Sequence, residues 1–123
     1  MTTQEVANRL VDLCRMGQND AAVAELYAQD AVSIEAADSP DKITKGIDNI
    51  RKKGDVLRQT IKEYHGASIS EPLVAGSYFS VQMAMEVTFN NGHRVNMQEV
   101  CVYKVKKGKI VEEQFFYDTN SEQ

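Results

Sequence analysis

Residues 81–89, VQMAMEVTF, alternate along the chain. Val81, Met83, Met85, Val87 and Phe89 fall on one side, and Gln82, Ala84, Glu86 and Thr88 on the other, which is the period of a strand with one apolar face. The run leads into Asn90, Asn91 and Gly92. An Asn-Gly pair between strand patterns predicts a hairpin with Asn91 and Gly92 at the turn, because a type I′ turn needs positive φ at both central residues. Register follows: Met83 opposite Val100, Met85 opposite Gln98, Val87 opposite Asn96. A second two-residue turn at Lys107 and Gly108 sets Val102 against Glu113, Val100 against Phe115 and Gln98 against Tyr117. The face shared by these three strands carries Val81, Met83, Met85, Val87, Val100, Val102, Val111, Phe115 and Tyr117, with the polar Asn96, Gln98 and Glu113 among them, and is the predicted core face. The opposite face is mixed. Phe116, Tyr103, Met97, Cys101 and Ala84 are too apolar for solvent, and Glu86, Glu99 and Glu112 too charged for a core, which points to a homodimer interface. All of this rests on loop length, since one residue more or fewer flips a strand's whole side-chain set.

Upstream the periodicity is helical. Thr2 to Glu5 form a capping-box pattern, so a helix is expected from about residue 3, with Val6, Leu10, Leu13 and Cys14 as its buried stripe and Gly17 as its stop. Asn19 or Asp20 caps a second helix with Ala22, Val23, Leu26 and Tyr27 inward, closing at Gln29 and Asp30. AVSIEA, residues 31–36, is a short strand with Val32 and Ile34 on one side and Ser33 and Glu35 on the other, and either side could face inward. A polar loop follows over residues 37–45. Ile47, Ile50, Leu57 and Ile61 share one face of a third helix, interrupted by Gly54, with Arg51, Lys52, Lys53, Arg58 and Lys62 on a solvated opposite face. Residues 62–75 hold an irregular strand, and Pro72 marks an edge or a strand end.

At 123 residues the chain makes one domain, residues 1–123. Its acidic balance, 18 Asp and Glu against 14 Lys and Arg, disfavours nucleic acid or an anionic membrane as partner. The absence of a long apolar run and of a basic-then-apolar leader predicts a cytoplasmic protein. Cys14 and Cys101 lack the spacing of a metal or redox motif and read as free buried thiols. His93 sits at a turn, and His65 has no histidine or cysteine near it in sequence, so neither a metal nor a cofactor is expected.

Three helices followed by a meander of long strands, with one short strand after the second helix, predict an α+β domain in which the N-terminal helices pack on the concave face of a curved, mainly antiparallel sheet. ELYAQDAVSIE after the second helix, GIDNI opening the third, and VCVYKVKKGKIVEEQFFYD near the C-terminus resemble the nuclear transport factor 2-like superfamily, in particular the SnoaL-like polyketide cyclases and ketosteroid isomerases. The resemblance spans nearly the whole chain and implies a cone-shaped α+β barrel. It also implies site residues. The isomerase general-base aspartate falls on or next to Glu35, the helix-1 tyrosine near Leu10, the protonated sheet aspartic acid on Gln98, and the apolar wall on Met83, Met85 and Tyr117, with Glu113 replacing an apolar wall residue.

Two classes of function fit. The first is an isomerase, cyclase or hydratase-type enzyme acting on a small apolar carbonyl compound. Glu113 or Glu35 would move the proton, and Gln98, Asn96 or Tyr117 would orient an oxygen, in a pocket closed by Leu10, Phe115, Met83 and Met85. The second is a noncatalytic module that binds a hydrophobic ligand or a partner chain. Of these residues Glu113 is singled out as principal polar contact and first proton carrier, with Glu35 second; buried on an apolar face, it must be protonated near neutral pH, pair with Gln98, Asn96 or Tyr117, or open onto a wet cavity.

Overall fold

Along the chain lie α1 (Thr3–Arg15), α2 (Asn19–Leu26), β1 (Tyr27–Ile34), β2 (Ile43–Lys45), α3 (Ile47–Gln59), β3 (Ile61–Ile69), β4 (Leu73–Ala75), β5 (Tyr78–Phe89), β6 (Arg94–Lys106) and β7 (Lys109–Phe116). The structure, a computed structural model, describes residues 1–36 and 42–118. Most of the loop expected at 37–45 and the tail after Asp118 therefore lie outside the described residues, while the end of that loop forms β2.

The first helix follows its sequence cues. Thr2 caps α1 in a reciprocal capping box with Glu5, and Gly17, at φ 73, ends it. The second helix stops earlier than expected, at Leu26, and Tyr27 opens β1 instead of continuing the helix. The third ends at Gln59: Ile61 begins β3, and Leu57 is exposed rather than inward.

Among the described residues one sheet holds all the strands, in the order β2-β1-β7-β6-β5-β3, with β4 paired to β5. Its pairings are antiparallel except β1 with β7. The two ends do not pair among the described residues, so the curved sheet is unclosed. Val6, Leu10 and Leu13 of α1 share the core with Phe79, Val81, Cys101, Tyr103, Val105 and Ile110 from the strands. The rings of Phe79 and Tyr103 stack at 4.7 Å.

The expected hairpin registers are corrected at both turns. Phe89 N–H donates to His93 O and Gly92 N–H to Phe89 O, so Asn90, Asn91 and Gly92 form a three-residue loop. Only Gly92, at φ 91, takes positive φ there, so the turn is not type I′, and β5–β6 pairing shifts by one. Met83 faces Glu99, Met85 faces Met97 and Val81 faces Cys101. Asn96, Gln98, Val100 and Val102 therefore leave the expected core face, and Met97, Glu99, Cys101 and Tyr103 take their places. The second turn is the expected two-residue loop, with Lys107 at φ 53 and Gly108 at φ 76. Beyond it, however, Val105 pairs with Ile110 and Lys104 with Glu112, leaving Val111 as a bulge. The two one-residue shifts cancel across β7. Glu113 and Phe115 still point to the side of Val81 and Met83, but Glu113 stands opposite Tyr103 rather than Val102.

A cluster of carboxylates at the end of strand β7

The parallel pairing of β1 with β7 builds the candidate site. It sets Ser33 beside Glu113, and Glu35, two residues on, follows on the same side of β1. Glu113 is 4% exposed and Ser33 fully buried. Tyr27, at the start of β1, donates its hydroxyl to Glu113 Oε1, and the Ser33 hydroxyl is a second hydrogen-bond partner. Neither Gln98 nor Asn96 partners it. Burial pushes the Glu113 carboxyl above its ordinary range, while its bonds to Tyr27 and Ser33 and the nearby Lys53 charge pull the other way.

Glu35 is tied from two sides. Lys53 Nζ lies 2.5 Å from Glu35 Oε2 and 2.7 Å from Ser33 Oγ, and Tyr117 donates its hydroxyl to Glu35 Oε1 at 2.7 Å. Lys53 also stands 5.5 Å over the Phe115 ring. Because an ammonium has only protons to give, Ser33 Oγ accepts from Lys53 and the serine's own proton goes to Glu113. A hydrogen-bonded path thus runs from Tyr27 through Glu113, Ser33, Lys53 and Glu35 to Tyr117.

A third carboxyl, Glu99, points to the same side of the sheet from β6. Burial pushes it up to about 7, opposed by a Cys101 hydrogen bond and the Lys53 charge and helped by the charges of Glu35 and Glu113. Gln98, where the resemblance implied a sheet carboxylic acid, is exposed on the other face, and the inward neighbour is this glutamate.

β7 pairs with β6 only as far as Val100 opposite Phe116, whereas β6 begins at Arg94. Beside this step lies an open cleft of about 560 Å³, whose lining includes Glu99, Phe115, Phe116, Tyr117, Gln98 and Lys42. Of the three carboxyls only Glu99 reaches it. Among the other residues expected at the site, Met83 and Met85 are half-buried on the inward face of β5, Leu10 is buried in the core, and Asn96 is exposed; none of these four lines the cleft. His65 is exposed on β3, its Nε2 2.7 Å from Thr88 Oγ1. Cys14 and Cys101 are free thiols, the first pushed up to about 11 by burial and the second higher. Among the described residues no group of three His, Cys, Asp or Glu side chains is arranged to hold a metal ion, and no helix is long and apolar enough to cross a membrane.

Sequence reasoning missed Tyr27, Ser33, Lys53 and Glu99 as site residues. Lys53 had a signal: it continues the spacing of three set by Ile47 and Ile50, and so belongs to the inward stripe rather than the solvated face on which it was placed.

A family profile described as SnoaL-like domain matches residues 1–117. Among solved structures, a Mesorhizobium loti protein provisionally named a SnoaL-like polyketide cyclase, and also carbohydrate phosphatase, is 36% identical, with 95% of this chain and 100% of that chain covered and a TM-score of 0.90. A nuclear transport factor 2-like protein of Burkholderia thailandensis shares the fold at 20% identity, with 97% and 92% covered and a TM-score of 0.82. So does a Catenulispora acidiphila protein of ketosteroid isomerase-like fold, solved with trimethylamine, at 16% identity, 95% and 88% coverage and a TM-score of 0.75. No curated protein matches the sequence. The chain belongs to the SnoaL-like family.

Proposed function

We propose that this protein binds a small, largely apolar carbonyl compound in the cleft at the end of β7 and moves a proton on it, as an isomerase, cyclase or hydratase does. The observation that carries the reading is Glu99, a carboxyl that lines the cleft and titrates near neutrality, the condition for general acid or base work at pH 7. Tyr117 lines the same cleft and supplies a hydroxyl that can turn from Glu35 to a ligand oxygen. In this reading Glu35 and Glu113 stand behind Glu99 and Tyr117. The helices and the curved sheet form the wall of a cone around the cluster. The name of the Mesorhizobium loti relative supports the substrate class, since a polyketide is a chain of carbonyl groups.

A module that held its ligand by shape alone would have no use for three carboxyls and a lysine gathered in one place. Such groups lose hydration on burial and are found more often where protons move. The test is exchange of α-protons in a panel of enolisable cyclic ketones in D₂O, followed by NMR. The parent protein is expected to speed exchange for at least one ketone and Glu99→Gln to lose that effect. No exchange across the panel, together with no ligand-induced shifts at Glu99 or Tyr117, would defeat the proposal.

A further inference from the structure

Lys53 is the one cation hydrogen-bonded within the cluster among the described residues, and its geometry divides the three carboxyls. Its ammonium donates to Glu35 Oε2 at 2.5 Å and to Ser33 Oγ at 2.7 Å, with the Phe115 ring beneath it. The Ser33 hydroxyl in turn donates a hydrogen bond to Glu113, whose other donor is Tyr27. One side chain from α3 therefore holds Glu35 directly and Glu113 through Ser33. Glu99 receives no hydrogen bond from it and feels only its charge.

We propose that Lys53 is the positioning residue of this site: by fixing Glu35 and, through Ser33, Glu113, it leaves Glu99 as the carboxyl that exchanges its proton with whatever occupies the cleft. The inference deepens the proton-transfer reading and takes its purpose from it, but its test needs no substrate. Glu99 is faced by Glu35 from just past the end of β1, Lys53 from α3, Glu113 from β7 and Cys101 from its own strand, and Lys42, Tyr117 and Asp118 share its cleft. Within the cluster only Lys53 favours the ionised form by its charge, while both other carboxylates oppose it. Loss of the lysine charge must therefore make Glu99 hold its proton more tightly.

The experiment is a carboxyl-carbon NMR titration of glutamate-labelled protein in the parent, Lys53→Met and Lys53→Arg. The Glu99 midpoint is expected to rise by at least half a pH unit in Lys53→Met, about threefold in proton affinity, and to return most of the way in Lys53→Arg. Equal midpoints in all three would overturn the proposal. If Lys53→Met does not fold, the parent decides: the Lys53 ammonium protons should exchange with water more slowly than those of the exposed Lys62, and equal exchange would overturn the idea. An unchanged titration with ketone exchange intact removes this inference alone, whereas a shifted titration with neither ketone exchange nor ligand-induced shifts removes only the proposed function.

Discussion

Tyr27 on β1 gives its phenolic hydrogen to Glu113 on β7, and the two side chains, 6% and 4% exposed, make this bond inside the protein. It joins the first strand to the last across the parallel seam of the sheet. Tyr27→Phe keeps the ring and removes the donor, so it should destabilise the fold by about 1.5–3 kcal/mol, the range for a hydrogen bond to a charged group. The loss should depend on pH. Burial raises the folded pKa of Glu113 above its unfolded value, so its contribution to stability is full below the unfolded pKa and is lost as pH rises through the folded one. Tyr27 opposes that rise, and without it the loss extends further. Urea unfolding should therefore show a larger deficit at pH 8 than at pH 5, and equal deficits would mean the bond does not favour the ionised form.

Glu99 makes the same linkage argument with a defined window. Its folded value is about 7 against an ordinary 4.5, so the stability it contributes is complete below pH 4.5 and declines up to about pH 7. That is worth on the order of 2–3 kcal/mol after allowance for partial exposure. Glu99→Gln should remove this decline and leave the variant more stable than the parent at pH 8. Parallel stability curves for the two proteins would count against a raised Glu99.

How much of this could be read from the sequence depends on whether a signal was local. The capping box of Thr2 and Glu5, the stop at Gly17, the apolar face of β5 and the Lys107-Gly108 turn are each written within a few residues, and each was found. The side of β6 was not, because Asn90-Asn91-Gly92 serves a two- or a three-residue loop equally well, and the choice turns a whole strand over. Glu113 was placed inward by two opposite slips. The seam of β1 with β7 joins residues about eighty apart and has no pattern in either strand to announce it, so Tyr27 and Ser33 stayed invisible as partners of Glu113.

The loop can be tested by length. Deleting Asn90 makes the two-residue loop that would bring Gln98 and Val100 inward and turn Cys101 and Tyr103 out. Both of those side chains are now buried, so the deletion should destabilise the fold by ~2 kcal/mol or more, as core losses do. Asn90 also bonds Gln59 O through its side chain. Asn90→Ala is therefore the control, losing that bond while keeping the length, and should cost ~1 kcal/mol. Equal losses in the two variants would show that loop length does not hold the register.

The outward face of the sheet has a corrected composition and a consequence for assembly. Met97, Glu99, Cys101 and Tyr103, expected there, are turned inward. The face now presents Val100, turned out from the expected core face, and Phe116, 47% and 49% exposed and opposite one another in the β6–β7 register. Gln82, on the strand beyond, pairs with Val100, and Gln98 and Gln114 lie two residues before Val100 and Phe116. An apolar centre with an amide rim suits an interface, and the loss of Glu99 from this face lowers the repulsion between two copies. We therefore expect a homodimer through this face, in which the second copy walls the cleft, since Gln82, Gln98, Val100, Gln114 and Phe116 all line it. In a two-fold interface a new charge enters twice, so Phe116→Glu should weaken association at least tenfold in sedimentation at micromolar concentration. A parent that sediments as a monomer, or a Phe116→Glu variant that dimerises as the parent does, would place any self-association elsewhere on the molecule.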